Sequence, residues 1–291
     1  MVTSGSSSKF SSSSLLFDKS YSGKENQLSL FLQLDQSFLQ LAYFNEKAKT
    51  VVGFQKIDLV NVQSWESAEK TLSQIFTQHH WTNQVKNIKV CLIDKLYTLI
   101  PIALFDEEEL ETYLKFNHNI SSSQELHYSF DKVEGCDAVI VYAIPKIIQN
   151  LLKKELPNHS ISHFAYPLME SAILEKGKQK RLRLHIQQQR FDIMLFQNEA
   201  LKFLNSFSYQ TKEDFIYFLL YVMEQLKLDR EEIEVELYGE FEENSALFEM
   251  LHKYIRNLKV IGRPKSLSYS AVLSEIPPQY YHNLFNQYLC E

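Results

Sequence analysis

The same succession of patterns runs twice along the chain, about 150 residues apart, and few folds are built that way. In the first stretch Leu28, Leu30, Leu32 and Leu34 alternate with Ser29, Phe31 and Gln33, the period of two that marks a strand. Asp35-Gln36-Ser37 turns, residues 38–44 return as a second strand, Asn45-Glu46-Lys47 turns again, and residues 51–59 make a third. Ser64 then caps a helix with Ala68, Leu72, Ile75 and Phe76 at helical spacing, and Ile88, Val90 and Leu92 open a fourth strand. In the second stretch Leu182, Leu184 and Ile186 alternate, residues 187–189 turn, and residues 191–196 and 201–209 are strands on either side of Asn198-Glu199. Thr211 with Asp214 three residues on caps a helix carrying Phe215, Phe218, Leu219, Val222 and Leu226, and Ile233, Val235 and Leu237 form the fourth strand. The first strands superpose at an offset of 154, the second at 153 (Phe38 on Phe191, Asn45 on Asn198), and the fourth share I-x-V-x-L. The pattern predicts an internally duplicated βββαβ unit.

The repeats set the expected organisation. Residues 1–14 hold eight Ser and read as a disordered arm. Residues 15–95 form the first subdomain, residues 96–176 an α/β insertion, and residues 177–291 the second subdomain with its C-terminal helices and tail. The insertion reads as strand 97–104, helix 107–116 capped by Asp106, strands 125–130 and 138–144, helix 146–152, strand 161–166 and helix 168–174. After the second unit come a helix over 247–256, a segment with Pro264, Pro277 and Pro278, and an aromatic tail that either covers the protein's own sheet or docks elsewhere.

Composition narrows the function. Hydrophobic residues make up 45% of 291 and charged residues 23%, enough to bury a core. The net charge of −6 disfavours nucleic acid, whose phosphates need a basic surface. Gly numbers only 7, and loops that cradle phosphate need backbone that a ligand can approach closely. Cys91, Cys136 and Cys290 are far apart with no C-x-x-C, against a disulfide scaffold. No signal peptide is evident, and the longest apolar run, 215–223, is nine residues where a membrane span needs about 20. A cytoplasmic protein without a membrane span is expected.

Two βββαβ units, an α/β insertion after the first and a helix after the second resemble the actin-like (ribonuclease H-like) ATPase fold, shared by actin, sugar kinases and the pilus-assembly protein PilM. Tyr281-His282-Asn283-Leu284-Phe285 with Leu289-Cys290-Glu291, and Leu104-Phe105-Asp106-Glu107 through Phe116-Asn117-His118, resemble domain-of-unknown-function family 3822 of Bacteroidetes, over roughly residues 15–291. That resemblance implies the actin-like fold and no known activity.

Active members of the superfamily hold phosphates between two Gly-bearing turns whose carboxylates bind Mg²⁺ through water, with a late Gly pair at adenosine. Carried over, the first turn is Asp35-Gln36-Ser37-Phe38, which keeps an Asp and a Ser but no Gly. The second is Gln187-Gln188-Gln189-Arg190, with neither Gly nor carboxylate. The adenosine position reads Tyr238-Gly239-Glu240. Asp35, Ser37, Gln188, Gln189 and Gly239 therefore mark a vestigial nucleotide cleft, and neither a nucleotide nor another cofactor is expected.

Other chemistry has weaker support. His79-His80 sit about 100° apart at a helix end, and the remaining His residues lack H-E-x-x-H or C-x-x-H spacing, so no metal site is expected. Ser121-Ser122-Ser123 lacks the G-x-S-x-G frame, and no catalytic residue is assigned. Lys176, Lys178, Lys180, Arg181 and Arg183 form one basic cluster, a candidate anion patch whose alternative is a solvated linker leading into an edge strand. The acidic stretch 229–236 reads as a solvated loop and strand face. Tyr217 and Tyr221, near Phe218, are expected to pack in the core, with a partner-binding surface as the alternative. The function read from these features is a non-catalytic interaction or scaffold protein with a protein or peptide partner, which by fold analogy with PilM lies in the interdomain cleft. The alternative is a divergent ATP-dependent kinase or ATPase using Asp35 and Ser37.

Overall fold

The computed structural model describes residues 10–12, 15–78, 85–121, 123–174, 180–198 and 200–289. The chain divides into two compact units. The first comprises Met1–Glu170, Lys265–Glu275 and Leu284–Glu291, the second Ser171–Pro264 and Ile276–Asn283.

Unit 1 is built on an eight-stranded sheet. Its strands are β1 (Phe10–Ser12), β2 (Leu16–Phe17), β3 (Ser29–Leu34), β4 (Phe38–Asn45), β5 (Thr50–Leu59) and β6 (Asn87–Leu92), the last reached through helix α1 (Trp65–Gln78). A second, three-stranded sheet follows, of β7 (Tyr97–Pro101), β8 (Leu126–Val133) and β9 (Ala138–Pro145), with helix α2 (Leu110–Asn117) between β7 and β8. Helix α3 (Lys146–Glu155) leads back to β10 (His159–His163) in the large sheet, and helix α4 (Ala165–Leu174) ends the insertion. The large sheet runs β1-β5-β4-β3-β6-β10, with β6 and β10 parallel to β3. The small sheet runs β7-β9-β8, all antiparallel. It has its own core, in which Leu114 of α2 meets Val139, Val141 and Ala143.

Unit 2 repeats the order β11 (Arg181–Gln187), β12 (Arg190–Gln197), β13 (Ala200–Ser208), helix α5 (Lys212–Gln225) and β14 (Glu234–Gly239). Helix α6 (Ala246–Tyr254) and a short parallel strand β15 (Asn257–Val260) follow, giving the sheet order β13-β12-β11-β14-β15. Thr211 and Asp214 close a reciprocal capping box at the start of α5. Leu182, Leu184, Ile186, Ile193 and Leu195 pack against Phe215, Leu219 and Val222 of α5 and Leu251 of α6. The βββαβ unit therefore occurs twice, with the fourth strand parallel to the first in each copy.

The hairpin turns correct the alignment of the two copies. Asp35 closes on Phe38 and Gln187 on Arg190, which sets the hairpins 152 residues apart. The first strands, aligned by their alternation at 154, are two residues out, which leaves every side chain on its proper face. The second strands, aligned at 153, are one residue out. The counterpart of Phe191 is Leu39, and Phe38 faces the other side. The fourth strands shift by two, so that Gly239 stands opposite Ile186 where Leu92 stands opposite Leu34.

Two further expectations need correction, and one of the two alternatives for the aromatic tail is met. Residues 10–12, expected in a disordered arm, pair antiparallel with β5 (Phe10 opposite Leu59); the rest of 1–14 lies outside the described residues. Residues 265–275 and 284–289, expected with the second subdomain, belong to unit 1, where β16 (Ser268–Tyr269) adds to β5. The aromatic tail covers unit 1's own sheet: the Phe285 ring meets Phe54, and Gln287 Nε2 donates to the Leu32 carbonyl at 2.9 Å.

Candidate functional site

The first hairpin turn is closed by its own side chains. Asp35 Oδ1 accepts from the Ser37 amide at 2.8 Å and from the Ser37 hydroxyl at 2.6 Å, while the Asp35 amide donates to the Phe38 carbonyl. A phosphate turn works by offering amides to an anion. Here the Ser37 amide is bonded to a carboxylate, which also sets negative charge where the phosphate would lie. The bonds are those of an ordinary Asx turn.

The second turn has neither glycine nor carboxylate. Gln188 and Gln189 are exposed, and Gln189 has a φ of 60°, in the left-handed region that favours glycine. The adjacent cation, Arg190, is turned back onto Asp192, with Nη2 3.1 Å from Oδ1 and 3.0 Å from Ser206 Oγ. Gly239 is required by packing. Its φ is 113°, its amide donates to the Gln279 carbonyl, and a Cβ there would stand 2.0 Å from the Ile186 carbonyl oxygen. Asp35 and Ser37 share one turn of unit 1, and Gln188 and Gln189 one turn of unit 2. Gly239 lies beside β11 in that same unit.

The described part of the basic cluster, Lys180, Arg181 and Arg183, is not an exposed patch. Strand β11 runs between β12 and β14, so it is not an edge, and its odd-numbered side chains face the back of the sheet. Arg183 is fully buried, with Nε 2.6 Å from Glu236 Oε2. Arg181 is half-buried and donates to the Ala172 carbonyl at 3.0 Å. Lys180 is half-buried, and Lys176 and Lys178 lie outside the described residues, as do His79 and His80. The acidic stretch is corrected at the same place, because Glu236 is buried against Arg183 and within 3.3 Å of Lys259 Nζ.

Arg183 belongs to a buried polar layer on the back of the unit 2 sheet. His185 Nδ1 is 3.0 Å from Asp192 Oδ2, and Ser206 Oγ donates to Asp192 Oδ1 at 2.6 Å. Burial opposes ionisation of Asp192, but Arg190, His185 and Ser206 outweigh it and hold the carboxyl below its ordinary range. His282 packs its ring 4.7 Å from that of Tyr238; burial, with Arg183 and His185 adding to it, pushes its imidazole down to about 3. The layer's signal in the sequence is the alternation Arg181-Leu-Arg183-Leu-His185, with acids at 192 and 236 to answer it. Such pairs are ordinarily read as solvated until the strand order is known.

Unit 1 contains an open cavity of about 670 Å³. The β3–β4 turn contributes Gln36, the start of α1 contributes Gln63, Ser64, Trp65 and Glu66, and the β6–β7 link contributes Asp94, Lys95 and Leu96. The insertion supplies Asn119, Ser123, Gln124, Glu125, Leu126, Pro145 and Ile147. Asp94 fixes one wall: its Oδ2 accepts from Trp65 Nε1 at 2.7 Å and its Oδ1 from the Leu96 amide at 2.8 Å. Among the described residues of this wall there is neither histidine nor cysteine. No group of three or more His, Cys, Asp or Glu able to hold a metal occurs among the described residues. The wall sets side-chain amides beside Leu96, Leu126 and Ile147. Gln36 was visible in the sequence as part of a turn. The partners that make the cavity come from the insertion, which no local pattern places there.

On α5 the expectation of core packing fails. Tyr217 and Tyr221 are 63% and 49% exposed and stack on each other at 6.3 Å, while Phe218 turns inward onto Phe207.

Residues 18–258 match the model of a family described as "Protein of unknown function (DUF3822)". No curated protein matches. Among solved structures, a Bacteroides thetaiotaomicron protein with actin-like ATPase fold and unknown function is similar at 22% identity, with a TM-score of 0.75, covering 92% of this chain and 98% of that one. The PilM-PilN type IV pilus biogenesis complex is similar at 14% identity, with a TM-score of 0.55, covering 90% of this chain and 98% of the matched one. At these identities the likeness establishes the actin-like fold. No helix among the described residues is long and apolar enough to cross a membrane.

Proposed function

The chain belongs to the DUF3822 family, and from that premise we propose that it is a non-catalytic interaction protein, an actin-fold pseudo-ATPase whose first phosphate turn is closed by its own side chains. The observation that carries this reading is the Asp35 carboxylate seated on the Ser37 amide and hydroxyl. A nucleotide would have to displace that carboxylate from the first turn. The 152-residue spacing of the two hairpins supports descent of both units from one duplicated βββαβ ancestor. In this reading the protein works in the cytoplasm.

The partner is a protein, held through a short segment in the cavity of unit 1. Side chains such as Gln36, Gln63, Asn119 and Gln124 can pair with a peptide main chain, and the strip of Leu96, Leu126 and Ile147 can take its apolar side chains. A solved relative of the fold, PilM, is seen in complex with PilN, so the architecture is compatible with such a role.

An ATP hydrolysis assay on the purified chain and on its Asp35→Ala variant tests the reading. The expected outcome is the same background rate for both, with both folded. A rate in the native chain that falls by an order of magnitude or more in the variant would favour a divergent ATPase or kinase instead.

A further inference from the structure

Phe116 and Leu104 are 89% and 70% exposed, the two most exposed large apolar side chains among the described residues. They share one corner of the insertion. Tyr113, one helical turn before Phe116 on α2, donates its hydroxyl to the Leu104 carbonyl at 2.7 Å and accepts from the Asp106 amide at 2.8 Å. This clamps residues 104–106 against the helix. Phe105 turns inward onto Phe130 and Tyr113, so its neighbour Leu104 turns out. Leu110, Tyr113 and Leu114 form the inner stripe of α2, and Phe116 lies outside it. Ile102, 50% exposed, is tied through its amide to the Asp137 carbonyl in the β8–β9 turn.

Packing within the chain does not account for this corner. The residues that follow Phe116 have internal partners, since Asn117 Nδ2 donates to Thr98 Oγ1 and His118 Nε2 is 2.8 Å from the Tyr97 carbonyl. Phe116, Leu104 and Ile102 carry no polar tip to offer water, unlike the exposed tyrosines of α5. Single exposed apolar residues are common, but three on one corner mark a contact surface.

The surroundings select the partner. Asp106, Glu107, Glu108 and Glu109 follow Leu104 after Phe105, and Glu134 and Asp137 stand in the turn that holds Ile102. The cation of α2, Lys115, is 2.8 Å from Glu111 on the same helix, so it does little to offset these six carboxylates. An anionic membrane surface would be repelled by them. We propose that Ile102, Leu104 and Phe116, rimmed by Asp106–Glu109, form a docking surface for a basic amphipathic segment of a partner protein, its apolar face on the three side chains and its Lys or Arg residues on the acidic rim. The proposal deepens the interaction reading and rests on it. The surface is separate from the cavity and from the nucleotide turns, so Mg-ATP binding would sink that reading without deciding this one.

The test uses the full chain in physiological salt with two labelled amphipathic peptides of identical apolar pattern, one of leucine and lysine, the other of leucine and glutamate, read by fluorescence anisotropy. The lysine peptide should bind and the glutamate peptide should not. The Leu104→Ser/Phe116→Ser double variant should weaken binding about tenfold or more without changing charge. The Glu107→Lys/Glu108→Lys/Glu109→Lys variant should abolish binding. Both variants change exposed side chains, and an unchanged unfolding midpoint verifies that they fold. Equal affinity in the double variant, equal binding of both peptides, or binding of neither would overturn the proposal. So would Phe116-dependent binding to phosphatidylcholine or phosphatidylserine vesicles, or a dimer of the native chain that the double variant dissolves.

Discussion

The buried His282 and the half-buried Asp131 have opposite effects on stability. Burial pushes His282 down to about 3 from an ordinary 6.5, with Arg183 and His185 adding to it. The unfolded chain therefore binds a proton there that the folded chain refuses, and stability is lost as pH falls from 6.5 toward 3. Burial lifts Asp131 from 3.8 to about 7, although the His163 amide and the Tyr142 hydroxyl pull the other way. The folded chain holds that proton and the unfolded one does not, so stability is lost as pH rises from 3.8 toward 7. Between pH 4.5 and 6 the two contributions oppose each other, each with a limiting slope of about 1.4 kcal/mol per pH unit. Urea midpoints over that range should show stability rising more steeply with pH in Asp131→Asn than in the native chain, and less steeply in His282→Gln. Identical slopes in all three would contradict the burial of both groups.

At the scale of elements, legibility followed local pattern. The long strands and α1, α3 and α5 were visible because alternation and helical spacing run through them, and Thr211 with Asp214 announced the start of α5. Strand β15 was not visible. Its four residues carry no turn signal, and only pairing with β14 makes Asn257–Val260 a strand. Burial on β3 was not legible, since Ser29, Phe31 and Gln33 alternate with leucines yet all six residues are buried. Alternation marks two faces, but whether the second is covered depends on the sheet's surroundings. The one-residue error at Phe38 has a similar cause, since turn geometry fixes register and composition does not. Gly239 depends on such a pairing, because β14 approaches β11 so closely that no Cβ fits against Ile186. Gly239→Ala should destabilise unit 2 by about 3 kcal/mol, through a forbidden φ and a clash with backbone. Equilibrium denaturation would register it, and a loss under about 0.5 kcal/mol, the range of a neutral surface change, would contradict the close approach.

At the scale of the whole molecule, the repeated βββαβ pattern sufficed for the actin-like fold, because few topologies repeat that order. The candidate site was far less legible. The turns at Asp35 and Gln188 could be found and their missing glycines counted. That Asp35 bonds Ser37, that Arg183 lies buried beside Glu236, and that the insertion walls a cavity beside Gln36 all depend on contacts between distant segments. Thermal unfolding with and without millimolar Mg-ATP is the sharpest test of the proposal that this chain holds no nucleotide. A working site at about 100 times its Kd would add roughly 2.7 kcal/mol, and a chain of this size moves its midpoint by about 2–4 °C for each kcal/mol. No shift is expected. A rise of several degrees that Asp35→Ala removes would contradict the proposal.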